Sequence, residues 1–541
     1  MRFAAVVVLS SMALAFHASA EEWRLDRLDL VLTVEPAQER LGVEGTMELV
    51  CETPGAAGPS LALNARQAAM RFQRVIAPGL TARVSLDGQG PLERARLDGD
   101  RRFEKGERVA VVFALTSAAE SSQLQMNADA FYASWVERWY PVLDGAGGPG
   151  SPVAAGSTTF RLPRGWRSVS NGTLVDSREE GERFVERWQV DAPAARSFVA
   201  APFVSAKRVE AGGRPIAFHL LRPRSTSDAQ AAALAGALAA MERRFGPYPY
   251  ATYHVAEVPE SASFAAGSEQ GFIMVRSSIL DDERGSLPLF AHEAAHGWWG
   301  NLVRSEGPGA KMLSEALAQY GAVLSIEALE GKAAMDEFLR FSRPGYNSLQ
   351  CALGYFHIWR EGGDAALASL EDAPTHHNLS DSKGMWFYHM LRIRMGDAAF
   401  FSVLRALIDD LRGREVDLGL FRRRLLAADP SLTGFLRQWL DRTGAPVLRT
   451  DWWSIDRGRG VEIAVEQLQD GEPFEVPLEV AIVTASGEPV RQTLSLAGRT
   501  QRFTVATPAR PLDLRLDPEN RLLMWRPEYG PRPPATPAGP R

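Results

Sequence analysis

The spacing of apolar residues changes period twice along this chain, which imposes an order of strands, then helices, then strands. From Glu21 to about Arg222, short segments such as Leu28 to Val34, Gly45 to Leu49 and Arg108 to Phe113 alternate apolar and polar residues between Gly, Pro and Asp turns. This predicts an all-β domain. At Ser227 to Phe245 the run SDAQAAALAGALAAMERRF has alanine-rich helical spacing behind a Ser or Asp cap, and helical signals continue to about Leu440. After Gly444-Ala445-Pro446 strands return at Val461 to Val465, Val476 to Thr484 and Arg502 to Val505, which predicts a small β-sandwich. A chain of 541 residues also exceeds what one core holds. The expected organisation is a multidomain α+β protein: an N-terminal all-β domain over 21–222, a mostly helical domain over 223–447 and a C-terminal β-sandwich over 448–527. The Pro-rich stretch 528–541 offers little to bury and is expected to be a disordered tail.

The first twenty residues stand outside this pattern. Arg2, the apolar stretch Ala4 to Phe16 and the small-x-small Ala18-Ser19-Ala20 form a secretory signal, so 1–20 is expected to be cleaved and the protein exported to the periplasm or the extracellular space. That stretch is too short to span a bilayer, and no later segment is apolar for long enough. A net charge of -6 without a basic block provides no footprint for phosphate backbones, which excludes nucleic acid as a partner. The two cysteines, Cys51 and Cys351, cannot make a disulfide framework or a thiolate zinc site and read as buried thiols.

Residues 292–296 read HEAAH within a stretch that lacks proline from Phe290 to Val303 and is expected to be helical. Residues four apart share a helix face, so His292 and His296 can direct imidazole nitrogens at one metal ion, with Glu293 beside it. Neutral imidazole suits Zn2+, and a catalytic zinc site takes three protein ligands and keeps one position open. The next predicted helix, in LSEALAQY at Leu313 to Tyr320, supplies Glu315 as the third ligand. Such a site activates water, and Glu293 can take its proton and pass it to a leaving amine, which is peptide hydrolysis.

Around this core stands HEAAHGWWGNLV, with the glutamate after the spacing HEXXH-(18)-E. In this the chain resembles the gluzincin aminopeptidases, the family of the membrane alanine aminopeptidases, whose signature also carries W-x-G-N after the second histidine. Trp298, Gly300 and Asn301 match it. FGPYPY at Phe245 to Tyr250, KGMWFYHML at Lys383 to Leu391 and FLRQWLDRTGAP at Phe435 to Pro446 extend the likeness over nearly all of the mature chain. The resemblance implies a thermolysin-like catalytic domain between the two β domains, and peptides as substrates. It also implies that Glu269, in Ala266-Gly267-Ser268-Glu269-Gln270 where the family has G-x-M-E-N, binds the substrate's α-amine.

Two departures bear on activity. Where the family has Y-x-K-G, whose tyrosine donates to the oxyanion, this chain has Asp381-Ser382-Lys383-Gly384. An ionised aspartate has no donor, and losing one oxyanion donor typically lowers the rate about 100-fold to 1000-fold. A protonated Asp381, or Tyr388 or Tyr355 reaching in, are the substitutes the sequence offers. Where members often have another glutamate seven residues after the third ligand, this chain has Ala322. The leading reading is an active aminopeptidase that removes N-terminal residues from peptides, whose rate Asp381 can reduce. The alternatives are a zinc-binding pseudo-peptidase with a binding or assembly role, and an endopeptidase. His376-His377 reads as a loop, Trp452 and Trp453 as interdomain packing, and Asn171-Gly172-Thr173 as a turn.

Overall fold

The computed structural model describes residues 22–533 apart from 66–69, 87–91, 118–124, 127–128, 145–152, 212–213, 284–285 and 372. Residues 1–21, which include the expected signal segment, and residues 534–541 thus lie outside the described residues. Two compact units emerge: one reaches from the N-terminal side to Val204 and includes Ser261–Ser263, and the other holds Ser205–Glu260 and the chain from Phe264 onward.

The first unit is all-β. The three predicted strands are central segments of Trp23–Glu35, Arg40–Cys51 and Arg108–Ser117, which lie side by side in a seven-stranded sheet. Burial alternates along each of them, as a half-buried strand requires. Two four-stranded sheets complete the unit. Cys51 is a buried free thiol, and Asn171 is buried with its side-chain oxygen accepting the Ser197 N–H at 2.6 Å, in keeping with a turn.

The second unit begins earlier than the expected boundary at 222. Strands Ser205–Ala211 and Arg214–Leu220 belong to its five-stranded sheet, continued by Tyr253–Val258, Phe272–Arg276 and the edge strand Ala266–Glu269. Their two-residue period matches that of the all-β domain, so periodicity could not assign them to a different sheet. The middle three strands are parallel and the edge strand is antiparallel. Helices α1 (Ser227–Phe245), α2 (Ser286–Ala295), α3 (Glu315–Glu330), α4 (Lys332–Phe341), α5 (Ala352–Arg360), α6 (Pro374–Leu379), α7 (Met385–Met395), α8 (Asp397–Asp410), α9 (Leu418–Ala428) and α10 (Thr433–Leu440) follow, with a π-helical turn at Ser380–Gly384. The predicted helix at 227–245 is α1 end for end. At Gly321 of α3 a β-carbon would stand 2.5 Å from the Ala295 β-carbon and 3.1 Å from the Met241 sulfur. The missing side chain thus lets α3 lie directly on α1 and α2.

Two three-stranded sheets close the unit: Leu448–Ile455, Gly460–Gln467 and Thr500–Ala506, then Val490–Leu496, Val476–Thr484 and Pro511–Leu516. Their inward residues, such as Ile463, Val480 and Ile482, share one apolar core with the helices, so this sandwich does not stand apart as a separate unit. Trp452 packs on that core, but Trp453 is exposed beneath the Arg502 guanidinium and does not anchor packing as expected. The tail is also corrected at its start. Tyr529 is buried against Phe356, with ring centroids 5.5 Å apart, because this one aromatic ring gives the Pro-rich segment something to bury. Among the described residues no helix is long and apolar enough to cross a membrane.

Candidate metal centre

Helix α2 carries His292 and Glu293 on buried turns and ends at Ala295. The helix expected through Val303 stops there. His296 N–H still reaches the His292 carbonyl at 3.3 Å, but Gly297 N–H bonds Ala294 at 3.0 Å in a tighter turn, and Gly300 takes φ +109°. The cause is packing: Trp298 and Trp299 turn inward, each 5.8 Å from the Phe245 ring, and Tyr248 stands 5.3 Å from Trp298. The FGPYPY and WWGN segments are thus partners in one aromatic cluster. The turn also aims the Trp299 carbonyl at His296 Nδ1, 3.0 Å away. A carbonyl only accepts, so His296 carries a proton on Nδ1 and turns Nε2 toward the other predicted ligands.

His292 is fixed in the same way by a different group. Its Nδ1–H donates to Gln319 Oε1 at 2.9 Å, and the Tyr346 hydroxyl donates to the same oxygen at 2.8 Å. Both Nε2 atoms converge, 3.2 Å apart, with Glu315 Oε2 at 3.6 Å from His292 and 3.5 Å from His296. Ligand atoms on a tetrahedral zinc at 2.0–2.1 Å stand about 3.3 Å from each other. The three predicted ligands therefore fit one zinc ion in both chemistry and spacing. Glu315 opens α3, where the helix dipole favours a carboxylate.

The site is built for positive charge. Burial alone would lower His292, yet the Glu315 hydrogen bond and the charges of Asp381, Glu293 and Glu315 lift it to about 10. Burial would raise Glu315, but His296 and His292 hold it well below the usual carboxylate range. A divalent cation answers the same field.

Glu269 ends the edge strand and is 3% exposed, a buried acid rather than a solvated loop residue. Its strand is tied to the ligand helix, since Ser268 Oγ donates to the Glu293 carbonyl at 2.9 Å and accepts from Asn301 Nδ2 at 3.2 Å. Asn301 of the W-x-G-N segment thus joins the HEXXH helix to the strand that carries Glu269.

Neither tyrosine offered for the oxyanion role turns toward the ligands. The Tyr388 hydroxyl donates to the Met312 carbonyl at 2.6 Å and that of Tyr355 to Asp364 at 3.1 Å. Asp381 lies in the π-helical turn with its side chain 0% exposed, accepting Gln350 Nε2 at 2.5 Å, and burial pushes its carboxyl up. His377 is not in a loop: it sits on α6 with Nδ1 3.5 Å from Glu315 Oε2 and Nε2 3.3 Å from Asp381 Oδ2. The sequence near His377 holds no partner at metal-ligand spacing, and Glu315 comes to it through the fold. Ala322 is buried in the apolar core, where an extra acid would have no water. Gln319, Tyr346 and His377 were missed. Gln319 had a readable signal, four residues after Glu315 on the same helix, while Tyr346 had none.

Residues 231–439, which contain every residue of this centre, match the Peptidase family M1 domain. The chain thus carries an M1 peptidase domain over these residues. Mouse (Mus musculus) Aminopeptidase RNPEPL1 is 25% identical over 351 residues, 59% of this chain and 46% of that protein. Aminopeptidase N of Lactococcus lactis is 28% identical over 223 residues, 37% of this chain and 24% of that protein. The chain spans less than half the length of these curated relatives. Legionella pneumophila aminopeptidase A in complex with aspartic acid has the same fold, with a TM-score of 0.71 at 15% identity over 93% of this chain and 60% of that one.

Proposed function

We propose that this protein is a zinc-dependent aminopeptidase that removes N-terminal residues from peptides. The observation that carries the reading is the convergence of two Nε2 atoms and Glu315 Oε2 at co-ligand spacing, with Glu293 next to His292 on the same helix. Zinc held by His292, His296 and Glu315 supplies a Lewis acid for the scissile carbonyl and the attacking water. Glu293 takes the proton from that water and delivers it to the leaving amine. Glu269 binds the substrate's α-ammonium, and a buried acid favours a charged partner more strongly than an exposed one. Ser268 and Asn301 tie the strand that carries this acid to the helix that carries Glu293. The relatives named aminopeptidases support the same reading. The Arg2, Ala4 to Phe16 and Ala18-Ser19-Ala20 pattern supports a further part of the reading, export and action outside the cytoplasm after cleavage.

One observation favours a second reading, a pseudo-peptidase that binds metal and peptide without cutting: Asp381 stands at the position of the family's donor tyrosine. Hydrolysis of a panel of aminoacyl chromogenic amides, with zinc content measured, separates the two. Turnover that disappears in Glu293→Ala and with N-acetylated substrates is the expected result. Stoichiometric zinc with no cleavage of free or blocked peptides would leave the binding reading in its place.

A further inference from the structure

Helices α7 and α10 stand against the outward face of the sheet formed by Val490–Leu496, Val476–Thr484 and Pro511–Leu516, and between them lies a cleft of about 570 Å3. The sheet side follows from register. Pro477 pairs with Ser495 and Glu479 with Thr493, and these exposed or half-buried residues alternate with buried Val476, Leu478, Leu494 and Leu496. The helix side is apolar, with Met390 and Ile393 of α7 and Phe435 of α10, and Ile393 is left 38% exposed. A cleft of this size, with an apolar lining and a few placed polar groups, has the make-up of a small-ligand site. It shares no residue with the metal centre.

The charges of the cleft are sorted by wall. Arg394 and Arg437 belong to α7 and α10 and Arg442 follows α10, while Glu472 and Glu475 belong to the segment that enters Val476–Thr484. Arg521 and Glu479, 3.6 Å apart, form the one ion pair between two cleft residues among the described residues, so the other five charges stand unpaired. Two of the arginines are braced by other groups. Arg394 donates to the Ser431 carbonyl at 3.2 Å with its guanidinium 5.9 Å from the Phe435 ring, and Arg442 donates to the Glu472 carbonyl with its guanidinium 4.6 Å from the Phe474 ring. These contacts hold the cations in place without supplying a counter-charge. Burial lowers the Arg442 pKa, Glu472 offsets part of this and the Arg437 charge adds to it, so two like charges act on each other at this wall. The opposite pole is fixed by Gln438, whose amide accepts the Glu475 N–H at 2.7 Å and donates to the Glu475 carbonyl at 3.2 Å. Glu475 is thereby held to the helix that carries Arg437, yet the two side chains do not pair.

We propose that this cleft binds a short peptide with free ends, its carboxylate on Arg437 and Arg442, its ammonium on Glu475 and its apolar side chains along Phe435 and Ile393. A molecule that carries both charges answers both walls at once, whereas a plain anion or a plain cation leaves one of them without a partner. The inference goes beyond the reading of the metal centre and does not depend on it.

The test is calorimetric titration of the zinc-loaded Glu293→Ala protein with the dipeptide Leu-Phe, which this variant should not consume. Glu269→Gln is added to remove the α-amine anchor of the metal centre. Binding is expected to persist in that double variant and to weaken about tenfold or more when Arg437→Gln or Glu475→Gln is added. N-acetyl-Leu-Phe and Leu-Phe amide should bind more weakly by the same measure. Arg437 and Glu475 are exposed, so circular dichroism should show both variants folded. Binding that vanishes with Glu269→Gln belongs to the metal centre, which overturns the cleft site and leaves the role of Glu269 standing. Binding that both cleft variants leave unchanged overturns it too, since the peptide then lies elsewhere, and an effect of only one of them overturns the pairing of two poles. Blocked peptides held as tightly as Leu-Phe, or no binding at all, overturn it as well.

Discussion

Replacing Gln319 with leucine should weaken metal binding without removing a ligand. The Gln319 side-chain oxygen holds the Nδ1–H of His292 at 2.9 Å and the hydroxyl of Tyr346 at 2.8 Å, and the residue is fully buried. Leucine fills nearly the same volume but accepts nothing, so His292 loses the bond that fixes its tautomer and ring plane. Loss of such a partner typically lowers metal affinity about 10-fold to 100-fold. At 1.36 kcal/mol per tenfold this is about 1.4–2.7 kcal/mol. A stranded buried donor adds about 1–3 kcal/mol of destabilisation in the metal-free protein. Gln319→Glu keeps an acceptor and should retain the parent affinity within a few-fold. The assay is competition for zinc against a chelator of known affinity, with thermal denaturation of the metal-free proteins beside it. A Gln319→Leu protein that holds zinc within twofold of the parent would refute the claim that this amide orients His292.

The same logic yields three smaller expectations. Gly300→Ala forces a β-carbon onto φ +109° and within 3.3 Å of His296 Nδ1, so it should lower stability by about 1–2 kcal/mol and loosen zinc, both readable by chemical denaturation and chelator competition. Glu257→Ala leaves the buried Arg224 guanidinium with Asp281 as its remaining acidic partner and removes the acceptor for Leu221 N–H at 2.8 Å and Ser277 Oγ at 2.6 Å; about 3 kcal/mol of lost stability is expected in urea melts. Burial depresses His389 to about 3, with Arg392, Lys332 and Arg521 acting in the same direction, so the unfolded chain takes up a proton below pH 6.5 that the folded chain refuses. Stability is then complete above about 6.5 and falls with acidification toward 3. His389→Gln should therefore lose about 2 kcal/mol less than the parent between pH 7 and pH 5, and equal losses in parallel urea melts would contradict this.

The sequence by itself determined what depends on neighbours along the chain. Helix α1 follows from alanine-rich spacing, and the alternating strands follow from a two-residue period. His292, Glu293 and His296 are legible because four residues make one helical turn, and Glu315 because the family spacing marks it. The tertiary structure decided whatever depends on residues distant in sequence. It ended α2 at Ala295, since Trp298 and Trp299 gain more by joining Phe245 and Tyr248 than by continuing a helix. Strands 205–220 went to the five-stranded sheet of the second unit, because hydrogen-bond partners rather than periodicity assign a strand to a sheet. His377 was drawn out of an expected loop to Glu315, 62 positions earlier, and Tyr346 was brought to Gln319. Local spacing chooses the side chains that can bind a metal, but only packing chooses the groups that orient them and the charges that surround them.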